Sequence, residues 1–135
     1  MKTLKVKAKL DNLQDVLAFV DESLESYDCP MKVQFQIDVA VEELYVNVAN
    51  YAYAPDTGDV EVNIWLDEGK REVAISFTDS GIPYNPVEKE DPDTSLSAEE
   101  RQIGGLGIYM VKKSMDSLEY CREDGKNIVT IRKKI

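Results

Sequence analysis

A chain of 135 residues with 43% hydrophobic and 31% charged residues has the balance of one globular domain, which excludes collagen, coiled coil and wholesale disorder. Asp and Glu outnumber Lys and Arg by 26 to 16, and a charge of −10 makes nucleic acid a poor partner. No stretch approaches the ~20 apolar residues of a membrane span, and the opening MKTLKVKAKL lacks the apolar run of a signal peptide, so the chain is expected in the cytoplasm.

The alternation of Leu4, Val6 and Ala8 with Lys5, Lys7 and Lys9 predicts a strand over 3–9 with one wet face. Asp11 or Asn12 is expected to cap a helix that runs to about Tyr27 on the stripe Leu13, Leu17, Val20, Leu24. Pro30 opens a longer helix to about Tyr53, and Pro55 blocks its continuation. Val60, Val62, Ile64 and Leu66 alternate as a strand, and Glu68-Gly69-Lys70 turns it into a hairpin with Val73, Ile75 and Phe77. The run 79–86, Asp-Ser-Gly-Ile-Pro-Tyr-Asn-Pro, cannot be regular structure. Residues 87–102 are acidic and aperiodic, long enough to serve as a lid. A helix carrying Ile108, Val111 and Met115 follows, then two strands near 117–122 and 127–133 paired across Asp124-Gly125. This order predicts a two-layer α/β sandwich: a mixed, mostly antiparallel sheet with helices on one face. The order of strands within the sheet is not readable from it.

Histidine is absent, which removes Ser-His-Asp and Cys-His catalysis, most zinc sites and any phosphorylated histidine. Cys29 and Cys121 form no CxxC and are expected to be buried free thiols. Chemistry must therefore run on carboxylates, amides, lysines, a metal or backbone dipoles.

Three constellations stand out. Glu43 and Asn47 lie four apart on one helix face, with Asn50 a further step along and apolar neighbours on both sides. Such groups either bond to a loop crossing the helix or line an oxygen-rich site, Asn47 as a hard-cation ligand and Glu43 as a base. Asp79 ends a strand and precedes Gly81; it either caps its own turn or accepts from the exocyclic amine of adenine, with Gly81 letting a flat ring approach. Gly104-Gly105-Leu106-Gly107 opens a helix and offers N–H groups to an anion, or simply hinges the preceding loop. It is neither a Walker A loop nor a Rossmann fingerprint. Arg101, just upstream, can pair with phosphate or sit in solvent.

Taken in order, Glu43-x-x-x-Asn47, then Asp79-Ser-Gly-Ile-Pro, then a lid, then Gly104-Gly-Leu-Gly-Ile-Tyr-Met-Val resembles the histidine-kinase-like ATPase superfamily, whose members share the Bergerat nucleotide fold. The runs VEELYVNVANYAY and GGLGIYMVKKSMD are most similar to the anti-sigma factor serine kinases, the RsbW-like proteins, and the likeness covers nearly the whole chain. The resemblance implies that residues 1–135 are one ATP-binding domain. It makes Glu43 the general base, Asn47 the Mg2+ ligand and Asp79 the adenine reader beside Gly81. Gly105, Gly107 and the neighbouring backbone become the phosphate cradle, and Arg101 a lid arginine near the terminal phosphate.

Two departures matter. A threonine that supports the adenine site in many relatives is matched by Asn127, with Thr130 further on, and a histidine of some relatives is replaced by Tyr51. The implied activity is a serine/threonine kinase that uses Mg-ATP to phosphorylate an anti-anti-sigma partner of the STAS type, binds a sigma factor and forms a homodimer. The alternatives are a non-catalytic, ATP-gated binding module and a slow ATPase. The missing histidine excludes a self-phosphorylating sensor kinase, and the absence of a second domain argues against gyrase-like or MutL-like machinery.

Overall fold

The computed structural model describes residues 1–88 and 105–135. Five strands form one antiparallel sheet: β1 (Lys2–Lys7), β2 (Asp59–Asp67), β3 (Glu72–Asp79), β4 (Ser117–Glu123) and β5 (Lys126–Lys134), in the order β1-β2-β3-β5-β4. Every neighbouring pair is antiparallel, so the sheet has no parallel member. Helices α1 (Leu13–Ser26), α2 (Met31–Asn47) and α3 (Gly105–Ser114) accompany it, and their buried residues share one core with the sheet. The expected two-layer α/β sandwich is observed.

Strand alternation divides the sheet, although the central strand β3 is buried on both faces over residues 73–77. Facing residues on neighbouring strands share a face, so Val62, Phe77 and Val129 form one buried row, and Ile64, Ile75 and Ile131 another. The next row toward the strand ends runs across all five strands as Val6, Val60, Asp79, Asn127 and Arg122. It passes from apolar to charged on the helix-covered side. The opposite face is polar, with Thr3 Oγ1 donating to Asn63 Oδ1 at 2.7 Å. The β4–β5 turn works because Asp124 and Gly125 both take positive φ, 53° and 76°, the conformation a tight hairpin demands.

Helix boundaries differ from expectation in two places. Neither Asp11 nor Asn12 caps α1 with its side chain. Residues Leu10–Asn12 form a 3-10 turn, and Asn12 Nδ2 donates back to the Lys7 carbonyl at 2.9 Å. The second helix changes pitch after Asn47 into a π-helical turn, Val48–Ala52, before Pro55. That turn lets residues 48–52 face the loop after β3 rather than continue the α2 stripe. Tyr45, fully buried, directs its hydroxyl at the Lys9 and Lys7 carbonyls, 2.6 and 3.1 Å away, and so pins the end of β1 to α2. Both cysteines are free, but Cys121 is exposed and Cys29 half-buried, so the expected burial of both fails. No helix among the described residues is long and apolar enough to cross a membrane.

One buried pair joins α1 to α2. Among the described residues, Oδ1 of Asp21 and Oδ1 of Asp38 are each buried without any other partner. Two carboxylates meet favourably only by sharing a proton. Burial, then the hydrogen bond to Asp21 and its charge, push Asp38 up to about 8 from 3.8. The native state then holds a proton that the unfolded chain releases near pH 4. This stabilisation is complete below the unfolded value and is lost as pH rises through about 8. Asp38→Asn keeps an N–H donor toward Asp21 and removes the titration. Its thermal midpoint is expected to exceed that of the wild type at about pH 8.5, and to vary less than the wild type's between about pH 5.5 and 8.5. Parallel melting curves for the two proteins would refute the shared proton.

Candidate functional site

Asp79, the last residue of β3, is only 6% exposed. A carboxylate buried this deeply needs partners, since an unpaired buried charge costs several kcal/mol. Its Oδ1 accepts from the Gly81 backbone N–H at 2.9 Å and from Asn127 Nδ2 at 2.9 Å. No described residue donates to Oδ2. Asn127, 2% exposed and directly opposite on β5, also donates to the Ile82 carbonyl at 2.7 Å.

The loop after Asp79 is fastened to the end of α2. The Tyr53 hydroxyl accepts from the Ser80 N–H at 2.7 Å and donates to the Asp59 carbonyl at 2.6 Å. The Ile82 N–H donates to the Ala52 carbonyl at 2.9 Å. Gly81 is required by space: a Cβ there would overlap the Ala52 carbonyl group.

Between α2 and the sheet lies a narrow, partly open cavity. Leu44, Val48, Ala52, Phe77, Tyr84, Pro86 and Val129 line it, and Asn47, Asp79 and Asn127 supply its side-chain amides and carboxylate. Apolar walls with a few convergent polar groups are the usual form of a small-molecule site. Asn47 is 6% exposed, and its Nδ2 has no hydrogen-bond partner among the described residues. A buried amide left open at a cavity wall is poised for a ligand. Either of its two end atoms can face the opening, because the oxygen and nitrogen ends are nearly isosteric.

Glu43 sits one helical turn before Asn47 and is half-buried. Burial, and secondarily the charge of Glu42, raise its pKa above the ordinary glutamate value. Its carboxylate lies against Gly107 in the first turn of α3, where a Cβ would overlap both the carboxylate carbon and Oε2. The fold therefore brings Asn47, Asp79 and Gly81 together and sets Glu43 against Gly107. Gly105 and Leu106 open α3. Asn50 is exposed on the π-helical turn and does not line the cavity. Gly104, Arg101 and most of the expected lid lie outside the described residues.

Among the described residues no group of three or more His, Cys, Asp and Glu could hold a metal. Asn47 offers the cavity a neutral side-chain amide, whose oxygen end suits a hard cation whose other ligands come from substrate and water. Sequence reasoning missed Tyr53, Tyr84 and Arg122 as site residues, and met Asn127 only as a departure from threonine. The pairing of Asp79 with Asn127 needed the strand order.

Residues 6–133 match the histidine kinase-like ATPase domain, and the chain belongs to that family. Within the family it is similar to named protein kinases. The serine/threonine-protein kinase BtrW of Bordetella bronchiseptica is 24% identical over 129 residues, covering 96% of this chain and 90% of that protein. The serine-protein kinase RsbW of Bacillus thuringiensis is 26% identical over 95 residues, covering 67% of this chain and 58% of that one. The fold is similar to the crystal structure of the RsbU and RsbW domains of Rv1364c from Mycobacterium tuberculosis, with a TM-score of 0.65 and 16% identity over 99% of this chain and 32% of that one.

The two glycines predict opposite outcomes on substitution. Gly81→Ala meets backbone, which cannot yield without moving the π-helical turn, and is expected to cost about 1–3 kcal/mol. Gly107→Ala meets the end of a flexible side chain while gaining up to about 1 kcal/mol of helix propensity. Its thermal midpoint is expected to stay near that of the wild type, with Glu43 displaced. Denaturation of both variants checks this, and equal destabilisation would contradict it.

Proposed function

We propose that residues 1–135 form one ATP-binding domain of a serine/threonine protein kinase, which transfers phosphate from Mg-ATP to a hydroxyl of a STAS-type anti-anti-sigma partner. A sigma factor is the second partner in this reading, and the working form is a cytoplasmic homodimer. The observation that carries it is Asp79 Oδ2, an acceptor without a described donor beside an apolar slot.

A carboxylate oxygen accepts from the exocyclic amine of adenine and repels the carbonyl oxygen that guanine carries there. Leu44, Val48, Phe77 and Val129 suit the faces and edge of a flat ring. Asn47 would hold Mg2+ through its side-chain oxygen, and the ion would supply charge neutralisation at the phosphates. The first turn of α3 offers N–H groups and the positive end of a helix dipole to anions. Glu43 takes the proton from the attacking hydroxyl. Its raised pKa brings it nearer to the working pH, where a base is most effective. The names of the relatives, serine/threonine-protein kinase and serine-protein kinase, support a hydroxyl acceptor.

Titration calorimetry with Mg-ATP and Mg-GTP tests the site. ATP binding without GTP binding is expected, and Asp79→Asn is expected to weaken ATP by about ten- to a hundredfold. Absence of ATP binding by the wild type would sink the reading. Glu43→Gln is expected to slow transfer by about 10²–10⁴-fold with ATP affinity little changed. The wild-type rate should fall as pH drops through the raised Glu43 pKa. Nucleotide-dependent partner binding that survives Glu43→Gln, with no transfer by the wild type, would favour an ATP-gated module.

A further inference from the structure

The edge of the cavity carries a second layer of residues behind Asp79. Asn127 Oδ1 accepts from the Tyr120 hydroxyl at 2.6 Å and from Arg122 Nη1 at 2.9 Å. Its Nδ2 donates to Asp79 Oδ1 and to the Ile82 carbonyl, at 2.9 and 2.7 Å. The amide is thereby saturated, with two donors on one side and two acceptors on the other. Turning it over would set its oxygen against a carboxylate and a carbonyl. Arg122 therefore does more than fill a surface position. By donating to Oδ1 it fixes which way the amide faces, and it ties the loop in place through the Gly81 carbonyl at 3.1 Å and the Gly125 carbonyl at 3.3 Å.

We propose that Asn127 and Arg122 are a positioning pair that sets base selectivity, resting on the nucleotide reading above. Asn127 Nδ2, oriented by Arg122, joins the Gly81 N–H in occupying Asp79 Oδ1, and Oδ2 is left as the acceptor offered to a ligand. The ligand class is then a purine triphosphate bearing an amino N–H at the edge that meets Asp79. A threonine at 127 could not do this in the same way. Its hydroxyl has one hydrogen and cannot donate to both Asp79 and the Ile82 carbonyl. Arg122 acts at one remove: it bonds Asn127 and the loop, not Asp79.

The test uses the full chain with ATP and with purine riboside triphosphate, which lacks the exocyclic amine. The wild type is expected to prefer ATP by about ten- to a hundredfold, the range of a hydrogen bond to a charged acceptor. Arg122→Ala and Asn127→Leu, which removes the amide, are expected to shrink that preference to about threefold or less, mainly by weakening ATP. Arg122→Lys, which keeps a cationic donor, is expected to restore part of it. In a transfer assay the same variants should raise KM for ATP with kcat little changed. In an Asp79→Asn background, Arg122→Ala should have no further effect on the preference. A preference unchanged in Arg122→Ala, or both triphosphates weakened equally in the two variants, would overturn the proposal and leave these residues as structural supports. Wild-type binding of neither triphosphate would overturn the nucleotide reading itself, whereas binding of ATP with unaffected variants overturns only the positioning pair.

Discussion

A negative charge held under the helix layer at the end of the central strand is the constraint around which this end of the molecule is arranged. Asp79 is nearly sealed from water, and burial of an unpaired carboxylate would cost several kcal/mol. The chain answers with neutral donors rather than a direct cation: a backbone N–H two residues on and an amide from the neighbouring strand. Both are spent on one oxygen. Gly81 lets the loop come close enough to Ala52 for its N–H to reach back, and the antiparallel register of β3 and β5 puts Asn127 opposite. The Arg122 guanidinium lies one hydrogen bond further out. Among the described residues the charge is thus stabilised without an ion pair, which keeps its second oxygen a strong acceptor.

α2 supplies the other wall and sets its spacing. A turn of helix separates Glu43 from Asn47, and the same surface meets the first turn of α3 at Gly107. The change of pitch at Val48 then redirects the chain. Ala52 and Tyr53 arrive under the 80–82 loop, where a continued α-helix would have carried them onward. A π-helical turn inserted at a helix end often marks a functional site, because it moves side chains and freed carbonyls where regular geometry cannot. Here one such carbonyl, that of Ala52, receives the Ile82 N–H.

Much of this was legible because it is local. Alternation in β2, β3 and β5 and the stripe Ile108, Val111, Met115 depend on neighbours within a few residues, and each appears in the fold near its expected place. What was not legible depends on elements meeting. The π-helical turn leaves no periodic signature in VANYA, so α2 was expected to run on to Tyr53. Asn12 has a cap's chemistry but spends its amide on the Lys7 carbonyl, which only the packing of β1 against α1 brings near. The Asp21–Asp38 proton and the Arg122–Asn127–Asp79 chain join residues that no spacing rule relates. Glu43 and Asn47 were recognised as a pair, whereas the contact of Glu43 with Gly107 required α3 to be laid against α2.

The two halves of the site are built differently, and that difference bears on how they can change. In the proposed reading, base recognition would rest on β3 and β5, interior strands with hydrogen-bonded neighbours on both sides, and on a side-chain amide whose bonding capacity is full. Strands of that kind open last in a fold. Glu43 and Gly107 instead meet side chain against backbone, across two helices, with no described hydrogen bond between them. Small shifts of α3 would alter that contact without disturbing the sheet. If the proposed roles hold, a protein so arranged could keep its preference for one base while chemistry at Glu43 is raised, lowered or gated by whatever moves α3. On those roles, the polar reading of the base and the chemistry at Glu43 would be separable by substitution, because Asp79 and Asn127 belong to the sheet and Glu43 to α2.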